Sequence, residues 1–123
     1  MKYAITCAIL LLLISCANQR ERQILGAWQA FEITEEGEPL LVKPEEVRFE
    51  FRADNTYSYQ STLNYKETGS FRIQNGYLLT RELSGANEPE RAVLIERLEA
   101  DTLVLGMEDQ GKTREVKLLR LDD

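Results

Sequence analysis

The side chains that most often do chemistry are scarce in this chain. It has no histidine and two cysteines, Cys7 and Cys16. Without histidine the commonest general base is missing, and a catalytic site would have to be built from weaker candidates. Carboxylates are plentiful, 21 against 15 lysines and arginines, for a net charge of −6. With so many acids, neighbours such as Glu45-Glu46 and Asp122-Asp123 are expected as solvated charge and carry little information. A calcium site needs converging oxygen ligands, and no D-x-D-x-D-G loop occurs. The expectation is a protein that is not an enzyme and uses no metal and no cofactor. Nucleic acid is also excluded as a partner, because its binding rests on neutralising phosphates with lysine and arginine.

Binding chemistry remains. Phe49, Phe51, Tyr57, Tyr59, Phe71 and Ile73 fall on one parity of adjacent expected strands and are the candidate ligand-binding residues. Such a set forms a continuous inner wall, and plain core packing would use it in the same way. A buried tyrosine wants a partner for its hydroxyl, so Tyr57 and Tyr59 suit a lumen that admits water or the polar head of a ligand. Tyr65 and Tyr77 have an ambiguous phase beside Leu78-Leu79.

The elements that position these residues begin after an N-terminal segment of another kind. Lys2 gives a positive start, and Tyr3 to Ile14 is almost wholly apolar. That run falls short of the roughly 20 residues a spanning helix needs, and has the length and flanks of a signal peptide. It ends in Leu13-Ile14-Ser15-Cys16, which resembles the lipobox of bacterial lipoproteins. The resemblance implies cleavage before Cys16 and lipidation of its thiol. It thus implies a signal peptide at 1–15, a lipidated tether at 16–23 and one domain at 24–123, with no thiol left in that domain. Arg20 and Arg22 then lie in the tether, near the headgroups or simply solvated.

From Gly26 onward the hydrophobic period is two. Val47, Phe49 and Phe51 alternate with Glu46, Arg48 and Glu50, and Val116, Leu118 and Arg120 alternate with Glu115, Lys117 and Leu119. Strict alternation marks strands with one buried face. Turn signals intervene at Glu36-Gly37, Asp54-Asn55, Asn75-Gly76, 85–89, Ala100-Asp101 and Gln110-Gly111. Asn-Gly is a strong hairpin signal, because both residues accept positive φ. The spacing predicts eight strands, at about 26–34, 46–53, 56–63, 67–74, 77–83, 91–98, 102–108 and 113–121. Short links favour an all-β, eight-stranded antiparallel up-and-down barrel, whose closure removes both exposed edges. The link 34–45 is long and carries Leu40-Leu41-Val42 between Pro39 and Pro44. It would either cover the barrel mouth or extend a strand.

Gly26-Ala27-Trp28 resembles the G-x-W element that opens lipocalins and bacterial lipocalin-like lipoproteins. The Ile95 to Leu105 pattern, I-x-x-L-x-x-D-x-L-x-L, is similar to one in the bacterial members. The resemblance implies that Trp28 plugs one end of the barrel and that Arg120, in the last strand, lies across it. It further implies that the first strand bends or bulges between Trp28 and Phe31, since Phe31 and Ile33 take the other parity. The second lipocalin loop motif is absent. Two function classes follow. One is a lipid-anchored envelope lipoprotein, at the outer membrane by expectation, whose barrel binds a small apolar or amphipathic ligand. The other is a filled barrel acting as a protein-interaction or inhibitor module, similar to small lysozyme-inhibitor lipoproteins, whose acidic surface would suit a cationic partner.

Overall fold

The computed structural model describes residues 19–83 and 88–121, apart from the side chain of Asp109. The expected signal segment 1–15, the expected lipidation site Cys16 and part of the turn at 85–89 lie outside the described residues. Among the described residues nine strands follow one another: β1 (Gly26–Glu35), β2 (Glu38–Pro39), β3 (Arg48–Phe51), β4 (Thr56–Gln60), β5 (Lys66–Gln74), β6 (Tyr77–Glu82), β7 (Arg91–Leu98), β8 (Thr102–Asp109) and β9 (Lys112–Arg120). From β3 to β9 each strand pairs antiparallel with the next, β3 pairs with β1, and β1 pairs with β9. The result is a closed eight-stranded barrel of the lipocalin-like fold, with two-residue β2 as a spur hydrogen-bonded to the end of β1. No helix among the described residues is long and apolar enough to cross a membrane.

The period-two pattern sets the inner face. In β5, Glu67, Gly69, Phe71 and Ile73 are buried, while Lys66, Thr68, Ser70, Arg72 and Gln74 are exposed. The tight links use the residues they need. Asn75-Gly76 and Gln110-Gly111 have φ of 55° and 81°, and of 54° and 79°, the two positive values that match a hairpin turn to the twist of its strands.

β1 serves two registers. Ala30 pairs with Leu118 and Glu32 with Lys117, so Phe31 is an extra residue without a partner. It points outward and is about half exposed, and the bulge turns Ile33 inward on the same strand as Trp28 and Ala30.

Two expected strands are shorter than their apolar pattern. The segment read as 46–53 is a strand only over Arg48–Phe51, because Pro44 opens a 3-10 turn at Pro44–Glu46. Val47 stays buried and its carbonyl still accepts from the Ala30 amide. The segment read as 56–63 stops at Gln60, because Leu63 and Asn64 adopt positive φ in the turn Thr62–Asn64. Beyond β2, Leu40 packs on the core while Leu41 is fully exposed.

Candidate ligand-binding cavity

The barrel is filled at one end. Trp28 is fully buried, and its indole Nε1 donates to the Ile24 carbonyl at 2.8 Å. Phe51, Phe71, Ile73, Leu103 and Leu118 complete this floor. Arg120 is the register partner of Trp28, with its guanidinium carbon 4.2 Å from the indole centroid. Its three nitrogens donate to the carbonyls of Ala100 at 2.7 Å, Leu25 at 2.5 Å and Gln23 at 2.6 Å. Residues 19–23 are helical and sit against this end, where Glu21 accepts from the Ile73 amide at 3.4 Å.

The other end is open. It holds a cavity of about 260 Å³, just under the roughly 300–1,000 Å³ usual for ligand pockets. Ile33, Val47, Leu78, Leu105 and Val116 form its apolar floor. Leu40 and Val42 reach its rim from the link after β2. One wall is aromatic. Phe49 and Tyr59 are register partners across β3 and β4 with ring centroids 4.7 Å apart, and Tyr65 meets Tyr59 edge-on at 6.1 Å.

Polar groups converge beside that wall. Glu67 pairs with Tyr59 across β4 and β5, faces inward, and leaves only 6% of its side chain exposed. Its carboxylate accepts from the Tyr57 hydroxyl, from the Tyr65 hydroxyl at 3.0 Å and from Arg91 at 3.5 Å. Arg91 also approaches Glu82 at 3.9 Å, and across the mouth Arg114 pairs with Glu35 at 3.2 Å. Burial, and after it the bond to Glu67, pushes the Tyr57 hydroxyl far above the ordinary range of a phenol. The Glu67 bond raises Tyr65 as well. Both hydroxyls are therefore fixed as donors to the carboxylate.

The close contact of β4 and β5 depends on Gly69, the register partner of Tyr57. A Cβ there would lie 2.8 Å from Tyr57 Cε1 and would collide with the Arg81 carbonyl. The bare backbone lets the Tyr57 ring cross it toward Glu67.

The six aromatic and aliphatic candidates therefore divide by height. Phe49, Tyr57 and Tyr59 line the cavity, and Phe49 is half-buried for that reason, whereas the alternation predicted it buried. Phe51, Phe71 and Ile73 lie in the packed cluster below, with Phe71 edge-on to Phe51 at 5.0 Å. Glu67, Arg91 and Arg114 were not among the sequence candidates, although each shares its parity with inward apolar neighbours: Phe71, Val93 and Val116 respectively. No cluster of three or more histidine, cysteine or acidic side chains suited to a metal occurs among the described residues.

Residues 24–105 match the lipocalin-like domain. Two solved structures share the fold. A lipocalin-like protein from Bacteroides uniformis superposes with a TM-score of 0.62 at 16% identity, over 80% of this chain and 99% of that one. An uncharacterized protein from Bacteroides eggerthii does so with a TM-score of 0.56 at 13% identity, over 79% and 98%. No curated protein matches the chain.

Proposed function

The chain belongs to the lipocalin-like domain family, and from that premise we propose that its barrel binds one small amphipathic molecule while a lipid on Cys16 holds it at a membrane. The observation that carries the binding reading is the open half of the barrel: a cavity of about 260 Å³ with an apolar floor and a cluster of polar groups on one side. A few placed polar groups in an apolar concavity are the usual make-up of a small-molecule site. A filled barrel working as a protein-interaction module would leave no such space.

The anchoring part rests on Lys2, the apolar run before Ser15 and the lipobox-like Leu13-Ile14-Ser15-Cys16. Three residue steps separate Cys16 from residue 19, a reach of about 11 Å at full extension. Since Arg120 ties Gln23 to the filled end, a lipid on Cys16 would turn that end toward the membrane and the mouth away from it.

Native mass spectrometry of the purified full chain tests the binding reading. The expected result is a co-purified small mass, lost in Val93→Phe, which fills the cavity wall. A wild-type protein that carries nothing and takes up no small amphiphile would refute it.

A further inference from the structure

Glu67 is an acid on the inner wall of a barrel, and its surroundings select the charge of what can sit beside it. We propose that the ligand of the cavity is a small organic cation, an amine on an apolar body, with its ammonium group received by Glu67. The inference rests on the cavity being a binding site and adds the chemistry of its occupant.

Three observations carry it. First, the carboxylate has acceptor capacity, and the cation it holds among the described residues, Arg91, is held loosely. Tyr57 and Tyr65 donate neutral hydroxyls, and an ionised carboxylate offers about four lone-pair sites. Arg91 reaches it only at 3.5 Å, with 58% of its side chain exposed, and also faces Glu82. An entering ammonium can take the place of Arg91 on Glu67 while Arg91 keeps Glu82.

Second, the wall beside Glu67 is aromatic. Tyr59 stands directly opposite it in register and packs against Phe49 and Tyr65. Ring faces attract cations, most strongly where water is excluded. An ammonium at Glu67 would thus meet both a carboxylate and π faces, with the apolar body lying on Ile33, Leu78 and Leu105.

Third, each arginine at the mouth faces a carboxylate. Arg91 lies between Glu67 and Glu82, and Arg114 is paired with Glu35. An anion at either guanidinium would sit beside at least one of those carboxylates and be repelled by it.

The test is isothermal titration of the full chain at neutral pH with hexylamine, hexanol and hexanoate, equal in length and different in head. Hexylamine should bind about tenfold more tightly than hexanol, the scale of one charge-assisted hydrogen bond replacing a neutral one, with hexanoate weakest. Glu67→Gln should abolish the preference for hexylamine over hexanol. Arg91→Gln, a surface change that spares the core, should strengthen hexylamine binding by removing the competing cation. Hexanol or hexanoate matching hexylamine, or an amine preference that survives Glu67→Gln, would overturn the proposal. Hexanol binding without amine preference sinks only the cation assignment, whereas a cavity that takes none of the three sinks the binding reading with it.

Discussion

Arg120 closes the barrel over Trp28: the two are register partners across β1 and β9, and the guanidinium lies 4.2 Å from the indole centroid. The same side chain binds carbonyls of Gln23 in the helical entry, of Leu25 just before β1 and of Ala100 in the link between β7 and β8. Four parts of the chain thus meet on one planar cation. Arg120→Ala should cost about 2–4 kcal/mol, from charged hydrogen bonds and the stacking they orient. Arg120→Lys should recover less than half of that, because a point charge cannot reproduce the fork. Urea unfolding measures both, and a loss within about 0.5 kcal/mol for Ala would show that closure does not depend on this residue.

The two phenylalanines of β3 should behave differently. Phe51 is 2% exposed in the filled half, so Phe51→Ala should cost about 3–5 kcal/mol. Phe49 borders the cavity, so Phe49→Ala should cost less in stability and weaken ligand uptake more. Equal losses in unfolding experiments would contradict the division of the barrel into a packed and an open half.

Gly69→Ala should destabilise by about 1–3 kcal/mol or more, because the added methyl collides with the Arg81 carbonyl on the neighbouring β6 and with the Tyr57 ring. Its signature should be a displaced Tyr57, visible as a changed near-ultraviolet circular dichroism signal. An unchanged spectrum and midpoint would mean that β5 accepts a side chain there.

Alkali should unfold the protein earlier than its surface charge suggests. The folded protein holds the Tyr57 proton more tightly than the unfolded chain, where the phenol has its ordinary value of 10.0. The resulting stability is fully present below that pH and falls as pH rises beyond it. Tyr57→Phe should flatten this decline in urea midpoints measured from about pH 9 to about pH 11. An identical slope in the variant would assign the decline to other groups.

Cys16→Ser should leave an unprocessed or soluble species in cell fractionation, since the proposed lipid attachment site is gone. A mutant recovered as mature protein in the membrane pellet would remove the anchor from the proposal.

The strands were legible because burial inside a barrel repeats every second residue, as at Val116 and Leu118 against Glu115 and Lys117. Their ends were less so. Nothing in Thr62-Leu63-Asn64 announces that a leucine will take a φ of 59° and end β4. Parity tells inside from outside but not height along the barrel axis. Phe49 and Phe51 therefore look equivalent in the sequence, although one borders a cavity and the other fills the core. Glu67 was passed over for a different reason. One acid among 21 reads as solvated charge, and the three donors that hold it come from positions 57, 65 and 91, whose convergence only the closed sheet creates.

The unmatched Phe31 gives β1 two reading frames. Residues before it are in phase with the Trp28 end, and residues after it are in phase with the cavity. Most side-chain substitutions at Phe31 should be tolerated, since it lies on the outer surface. Deleting it is a different event. It would join Ala30 to Glu32 opposite Leu118 and Lys117 in one unbroken ladder, so Trp28, Ala30 and Ile33 would all keep facing inward and only the bend of the strand would be lost. The position therefore matters for the bend it puts into β1 more than for the phenyl ring it carries.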